Sequence, residues 1–257
     1  MTLADSSVTE LKKKRFKNAT LVAGLPGIGF VSKLAVDHLA RSLGAPRIAT
    51  LYSPHFPNQT LALSSGKLKP FTMRFNYSRL KRGGDVVFLR GDLQPMTVEG
   101  QYEVTSRVLD YAKKIGVKRV VAMAGYAVEK HGKEPAVYCA ASSPAVFKYY
   151  VGKGAKRVPA KAVPIVGMSG LLPALAAANG IEGACLLVET SNGQFDAAGA
   201  KRLVGFLGKC FDERFDASPL DARVKRLEKA FAEARPQPVV VAPAATEMPK
   251  GDLSYIR

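Results

Sequence analysis

Tryptophan is absent from this chain, and histidine and cysteine occur only three times each. His38 falls inside a helical pattern, His55 beside prolines and His131 in a polar stretch, so none is placed as an evident general base. Cys139, Cys185 and Cys210 lack CxxC spacing, which removes the usual zinc and dithiol readings. They read as reduced thiols of a cytoplasmic protein. No apolar run reaches the ~18 residues that span a bilayer, and the polar start is not a secretory leader. A membrane partner is therefore not expected.

Acidic residues are also scarce: 21 against 38 Lys and Arg, a formal charge of +17. Such an excess favours nucleic acid or an acidic protein surface. The cations are scattered over 12–15, 79–82, 113–119, 153–161 and 223–229. No zinc-finger spacing, RNP-like aromatic motif or recognition helix accompanies them. A solvated basic surface, suited to an acidic protein, is the preferred reading, with nucleic-acid binding as a weaker one.

Glycine and proline, by contrast, crowd one stretch. Leu21, Val22 and Ala23 suit a buried strand, and Gly24, Pro26, Gly27 and Gly29 follow within six positions. From Phe30 the pattern turns helical, with Val31, Leu34, Ala35 and Leu39 at three- and four-residue spacing. Strand, glycine-rich turn and helix open a βα unit whose turn exposes N–H groups. The spelling Gly24-x-x-Gly27-x-Gly29 reverses the dinucleotide order, and Phe30-Val31 stand where a P-loop has Lys-Ser/Thr. The turn reads as a structural bend that lines a cleft, and no cofactor is assigned to it. If Gly27 and Gly29 hold positive φ or touch neighbouring backbone, both resist a side chain.

Further strands are predicted at 47–52, 85–90, 119–124, 136–141, 164–167 and 183–188. A hairpin of 60–64 and 70–77, turning at 65–67, is expected at a sheet edge. Helices are predicted at 97–115, ended by Gly116 as C′, and after Ser143-Pro144 in N-cap, N1 order. Others follow at 171–178, 196–211 and 219–234. The last carries Leu220, Val224, Leu227, Phe231 and Ala234 at nearly heptad spacing, for docking on its own domain or on a neighbouring subunit. The first 18 residues are polar and read as frayed, with a strand start at 12–17 as the alternative.

Residues 1–234 thus form a single α/β domain with its core from about residue 19. From 235 the prolines 236, 238, 243 and 249 set a flexible tail, 235–257, ending in an apolar-aromatic tip.

In open α/β sheets, loops at the strand carboxyl ends line the functional crevice. Here they contribute Gly24, Pro26, Gly27 and Gly29, then Gln94, Gly125, Ser169, Gly170 and Glu189. That set has one serine and one carboxylate, with no G-x-S-x-G elbow and no ligand cage, so catalytic and metal residues are assigned to none. Glu189 reads as an acceptor for backbone N–H groups of the glycine loops.

Together the motifs resemble the proteasome assembly chaperone family, particularly archaeal homologues of the eukaryotic second assembly chaperone. The likeness rests on Gly24-Leu25-Pro26-Gly27-Ile28-Gly29 running into Lys33-Leu34-Ala35-Val36-Asp37, and on Gly91-Asp92-Leu93-Gln94-Pro95 with Gly125-Tyr126. It continues through Gly167-Met168-Ser169-Gly170-Leu171-Leu172 and the CLLVET segment at 185–190. Ser32, where a glycine is expected, and Leu93, where the position is usually small or proline, depart from it.

The resemblance implies a three-layer phosphorylase/hydrolase-like α/β fold without established enzymatic activity. It also implies a homo-oligomer that binds α subunits of the proteasome core particle as an assembly factor or activator. It further implies a docking tail, here Leu253, Tyr255, Ile256 and Arg257, with Tyr255 shifted one residue from the family's penultimate tyrosine. The alternative from the residues is a hydrolase or transferase that uses the cleft with Ser169 or Glu189.

Overall fold

The computed structural model describes residues 5–130, 132, 134–191 and 194–233. In chain order the strands are β1 (Ser7–Glu10), β2 (Ala19–Gly24), β3 (Arg47–Tyr52), β4 (Thr60–Ala62) and β5 (Leu68–Pro70). They continue with β6 (Met73–Leu80), β7 (Gly84–Gly91), β8 (Val117–Ala127), β9 (Val137–Ala141) and β10 (Glu182–Thr190). The helices are α1 (Val31–Ser42), α2 (Val98–Lys114), α3 (Pro144–Gly152), α4 (Met168–Ala178), α5 (Ala197–Phe211) and α6 (Pro219–Glu233).

The main sheet has the order β1-β3-β6-β7-β2-β8-β10-β9, and β4 pairs with β5 in a separate ribbon. β7, β2, β8 and β10 are parallel neighbours. Among the described residues, every strand-to-strand pairing outside this quartet is antiparallel, and one isolated parallel bridge joins Tyr138 to Lys156. The quartet is apolar on both faces because helices cover both. In β2, Leu21 and Ala23 pack with Val108 of α2 and Leu172 of α4, while Val22 packs with Leu34 of α1 and Leu203 of α5. β7 and β8 alternate in the same way. A one-residue slip would exchange those faces. Each fully buried aliphatic side chain contributes about 1.5–3 kcal/mol, more than the ~1 kcal/mol span of strand propensity, so burial sets the register. The result is a three-layer α/β fold.

Five elements differ from the sequence expectation. The hairpin partner of β4 is 68–70, not 70–77. The side chains of Met73 and Phe75 are fully buried, which draws β6 into the sheet between β3 and β7 rather than onto an edge. The stretch 164–167 forms no strand, because both sides of β10 are already paired, by β8 and β9. Helix α4 begins at Met168, three residues earlier than expected, for a reason found at the site. At the amino end it is 7–10, rather than 12–17, that pairs along β3 as an edge strand.

In α6, Leu220 and Val224 enter the core and Leu227 packs against it, so this part of the stripe docks on its own chain. No described helix is long and apolar enough to cross a membrane.

Candidate functional site

The loops after β2, β7, β8 and β10 meet at the carboxyl ends of the parallel strands. After Gly24 the chain bends into one 3-10 turn, Ile28–Phe30, and enters α1. Three bonds strap the bend: Ser32 Oγ donates to the Leu25 carbonyl at 2.7 Å, Gln94 Nε2 to the Pro26 carbonyl at 2.6 Å, and the Asp196 N–H to the Gly29 carbonyl at 2.8 Å. Asp196 also caps α5 by accepting from the Gly199 N–H at 2.8 Å, and Thr190 Oγ1 donates to it at 2.6 Å.

The glycines of the bend are not equivalent. Gly29 holds φ +63, and a Cβ there would lie 2.6 Å from Thr190 Oγ1. Gly24 is fixed by close approach, since a Cβ would meet the Ser32 carbonyl of α1 at 2.6 Å. Gly27 is extended at φ −167 with open space where a Cβ would stand. Of the two glycines expected to resist a side chain, therefore, only Gly29 has a geometric reason.

A crevice of about 190 Å³ lies between the bend, the end of β8 and 163–169. Gly27, Gln94, Gly125 and Ser169 line it, with Ile28, Tyr126 and Ile165. Five other residues assigned to the cleft lie elsewhere. Gly24 is under α1, Pro26 turns its carbonyl to Gln94, and Gly29 faces Thr190. Gly170 packs on Ile165 at a separate hollow beside β10. Glu189 accepts from the Ala136 N–H at 2.9 Å and the Tyr138 hydroxyl at 2.5 Å, not from the glycine loops. It ties the start of β9 to β10, and its hydrogen bond, with burial, pushes the Tyr138 phenol up to about 12.

Gln94 is the keystone of the wall. Besides holding Pro26, its Oε1 accepts the Met168 N–H at 2.9 Å, at the first residue of α4. This remote cap, with Gly167 at φ +85, starts α4 early. Nothing local to 167–171 announces it. Residues 163–166 form an irregular wall of the crevice, where the sequence predicts a strand at 164–167.

The described lining offers the hydroxyls of Ser169 and Ser32 (the latter donating to the Leu25 carbonyl), the Gln94 amide and the Tyr126 phenol, without a histidine, cysteine or carboxylate among them. Among the described residues no group of three His, Cys, Asp or Glu is placed to hold a metal. His38 Nε2 donates to the Asp216 carbonyl at 2.6 Å, away from the crevice. Burial pushes the thiols of Cys139, Cys185 and Cys210 each up to about 12, which suppresses the reactive thiolate. His131 and the tip residues Leu253, Tyr255, Ile256 and Arg257 lie outside the described residues.

Behind the bend sits a charge cluster that the sequence reading did not single out. Asp37 Oδ1 accepts from Arg90 Nε at 2.6 Å, while Oδ2 faces Lys33 at 3.3 Å and Arg223 at 3.2 Å. Burial works to raise the Asp37 carboxyl, but the three cations outweigh it and hold it down to about 2. Lys33 shifts downward, since burial outweighs the pull of Asp37, and its Nζ also donates to the Gly91 carbonyl at 2.8 Å. The i, i+4 pairing of Lys33 with Asp37 was the available signal.

A parallel quartet crossed by antiparallel flanks, with a glycine bend strapped by a remote glutamine, defines a three-layer α/β protein built around a crevice. The chain belongs to the PAC2 family, which matches it over residues 21–235. It is 28% identical over 242 residues to the uncharacterized protein MJ1210 of Methanocaldococcus jannaschii, covering 93% of each chain. The crystal structure of Pyrococcus furiosus PbaB, described as an archaeal proteasome activator, superposes with a TM-score of 0.80 at 29% identity. The match covers 89% of this chain and 98% of that one. Pyrococcus furiosus PbaA, described as an archaeal homolog of proteasome-assembly chaperone, shares the fold at TM-score 0.74 and 24% identity, over 88% and 96% of the two chains.

Proposed function

We propose that this protein is a non-enzymatic assembly chaperone or activator that binds α subunits of the proteasome core particle. The likeness to PbaB across nearly the whole of both chains carries the reading. The surface supports it. Ile28 and Val166 on the crevice wall, and Met96 and Val98 on the segment that follows Gln94, leave large apolar side chains exposed, Val166 by 87%. Exposed apolar side chains of this kind suit a protein contact. The β4–β5 ribbon adds Leu61, Leu63 and Leu68. In this reading the protein works in the cytoplasm as a homo-oligomer, and Leu253, Tyr255, Ile256 and Arg257 supply a second contact.

Co-purification with isolated α subunits and, separately, with assembled core particles tests the proposal. Retention on either supports binding, and which one retains it separates assembly from activation. Retention on neither overturns it.

A further inference from the structure

A second concavity, apart from the crevice, lies between α1, the end of β7, the β4–β5 ribbon and α6, and holds about 340 Å³. Its volume lies in the lower range of small-molecule sites. Six cations line it against two carboxylates, an excess of four positive charges. Asp37 holds Lys33, Arg90 and Arg223, and Asp92 holds Arg74 and Lys69. Arg41 stands exposed at the lip. The Nε of Arg74 is buried and donates to no described group. Burial lowers the pKa of Arg223, Asp37 opposes the shift, and Arg41 and Arg90 add to it.

The opposite lip is aromatic. Phe195 stands 5.0 Å from Phe30 and 5.1 Å from Phe231, centroid to centroid. Phe30 holds φ +52, a left-handed conformation that a bulky residue rarely adopts, and that conformation sets its ring at the pocket. The Phe231 ring remains partly exposed. Convergent guanidinium and ammonium donors recognise phosphate, and a free aromatic face takes a planar ring.

We propose that this pocket binds a phosphate-bearing small molecule with a planar ring, of the nucleoside diphosphate class. Its phosphates meet Arg74, Lys69 and Arg41, and its ring lies against Phe231. The proposal does not rest on the proteasome reading, since ADP binding is measured on the chain alone.

The test is calorimetric titration of the full chain with ADP and with inorganic pyrophosphate at about 50 mM salt. ADP is expected to bind with a Kd below about 1 mM. Arg41→Glu with Lys69→Glu should weaken it by about tenfold or more. The charge-matched control, Lys81→Glu with Lys118→Glu at the opposite end of the sheet, should change it less than about threefold. Phe231→Ala should weaken ADP and leave pyrophosphate unchanged. Thermal melts check the fold of each variant, and Arg41→Glu alone serves if the double variant melts early. Absence of heat with ADP, equal weakening by both double variants, or binding of hexaglutamate in place of ADP would each overturn the proposal.

Discussion

Replacing Asp37 by alanine removes the carboxylate shared by Lys33, Arg90 and Arg223 from a largely buried cluster, where the remaining carboxylate, Asp92, is already engaged by Arg74 and Lys69. Removing one side of such a cluster costs about 3–5 kcal/mol, so Asp37→Ala should unfold at much lower denaturant, measured by urea melts followed by circular dichroism. The same group sets an acid limit. Its folded pKa is depressed, so its stabilisation is fully present above the ordinary value of 3.8 and is lost as pH falls toward about 2. That contribution is on the order of 2 kcal/mol, and Asp37→Ala should flatten the pH dependence of melting across that window. The glycine bend offers a paired test. Gly29→Val should cost about 1–3 kcal/mol, because it combines positive φ with a clash at Thr190, whereas Gly27→Ala should melt like the parent. Equal loss at both would contradict the geometry.

Among the elements, α4 depends on a side chain 74 positions away, the Gln94 Oε1 that accepts from its first N–H. Gln94→Ala leaves that N–H and the Pro26 carbonyl without their partner and should cost about 1–3 kcal/mol. Amide exchange should quicken in the first turn of α4 while the core of β2 stays protected. Uniform quickening would mean that Gln94 acts on global stability alone. This dependence also shows where the sequence was legible. The strands of the parallel quartet could be read from their apolar runs, and the end of α2 from Gly116, because local chemistry and burial agree there. The 68–70 strand, the irregular 163–166 wall and the start of α4 were illegible. Each is decided by which sheet edge is already paired or by a bond from a distant loop. Glu189 was recognised as an acceptor, but its donor on β9 depends on an antiparallel pairing that periodicity does not specify.

At the scale of the molecule, the proposed function rests on the three-layer body and the large apolar side chains it leaves exposed. Light scattering should give a mass well above the 27.5 kDa of one chain, as a homo-oligomer requires. The Leu220 end of α6 is buried in its own core, so Leu220→Asp should lower the melting temperature even where the chain is monomeric. Sedimentation of the full chain with assembled proteasome core particles, beside a deletion of 255–257, tests the proposed binding. The full chain should travel with the particles and raise their peptide hydrolysis, and the deletion should abolish the stimulation without changing melting or oligomer size. Failure of the full chain to associate with core particles at about 10 μM would contradict it.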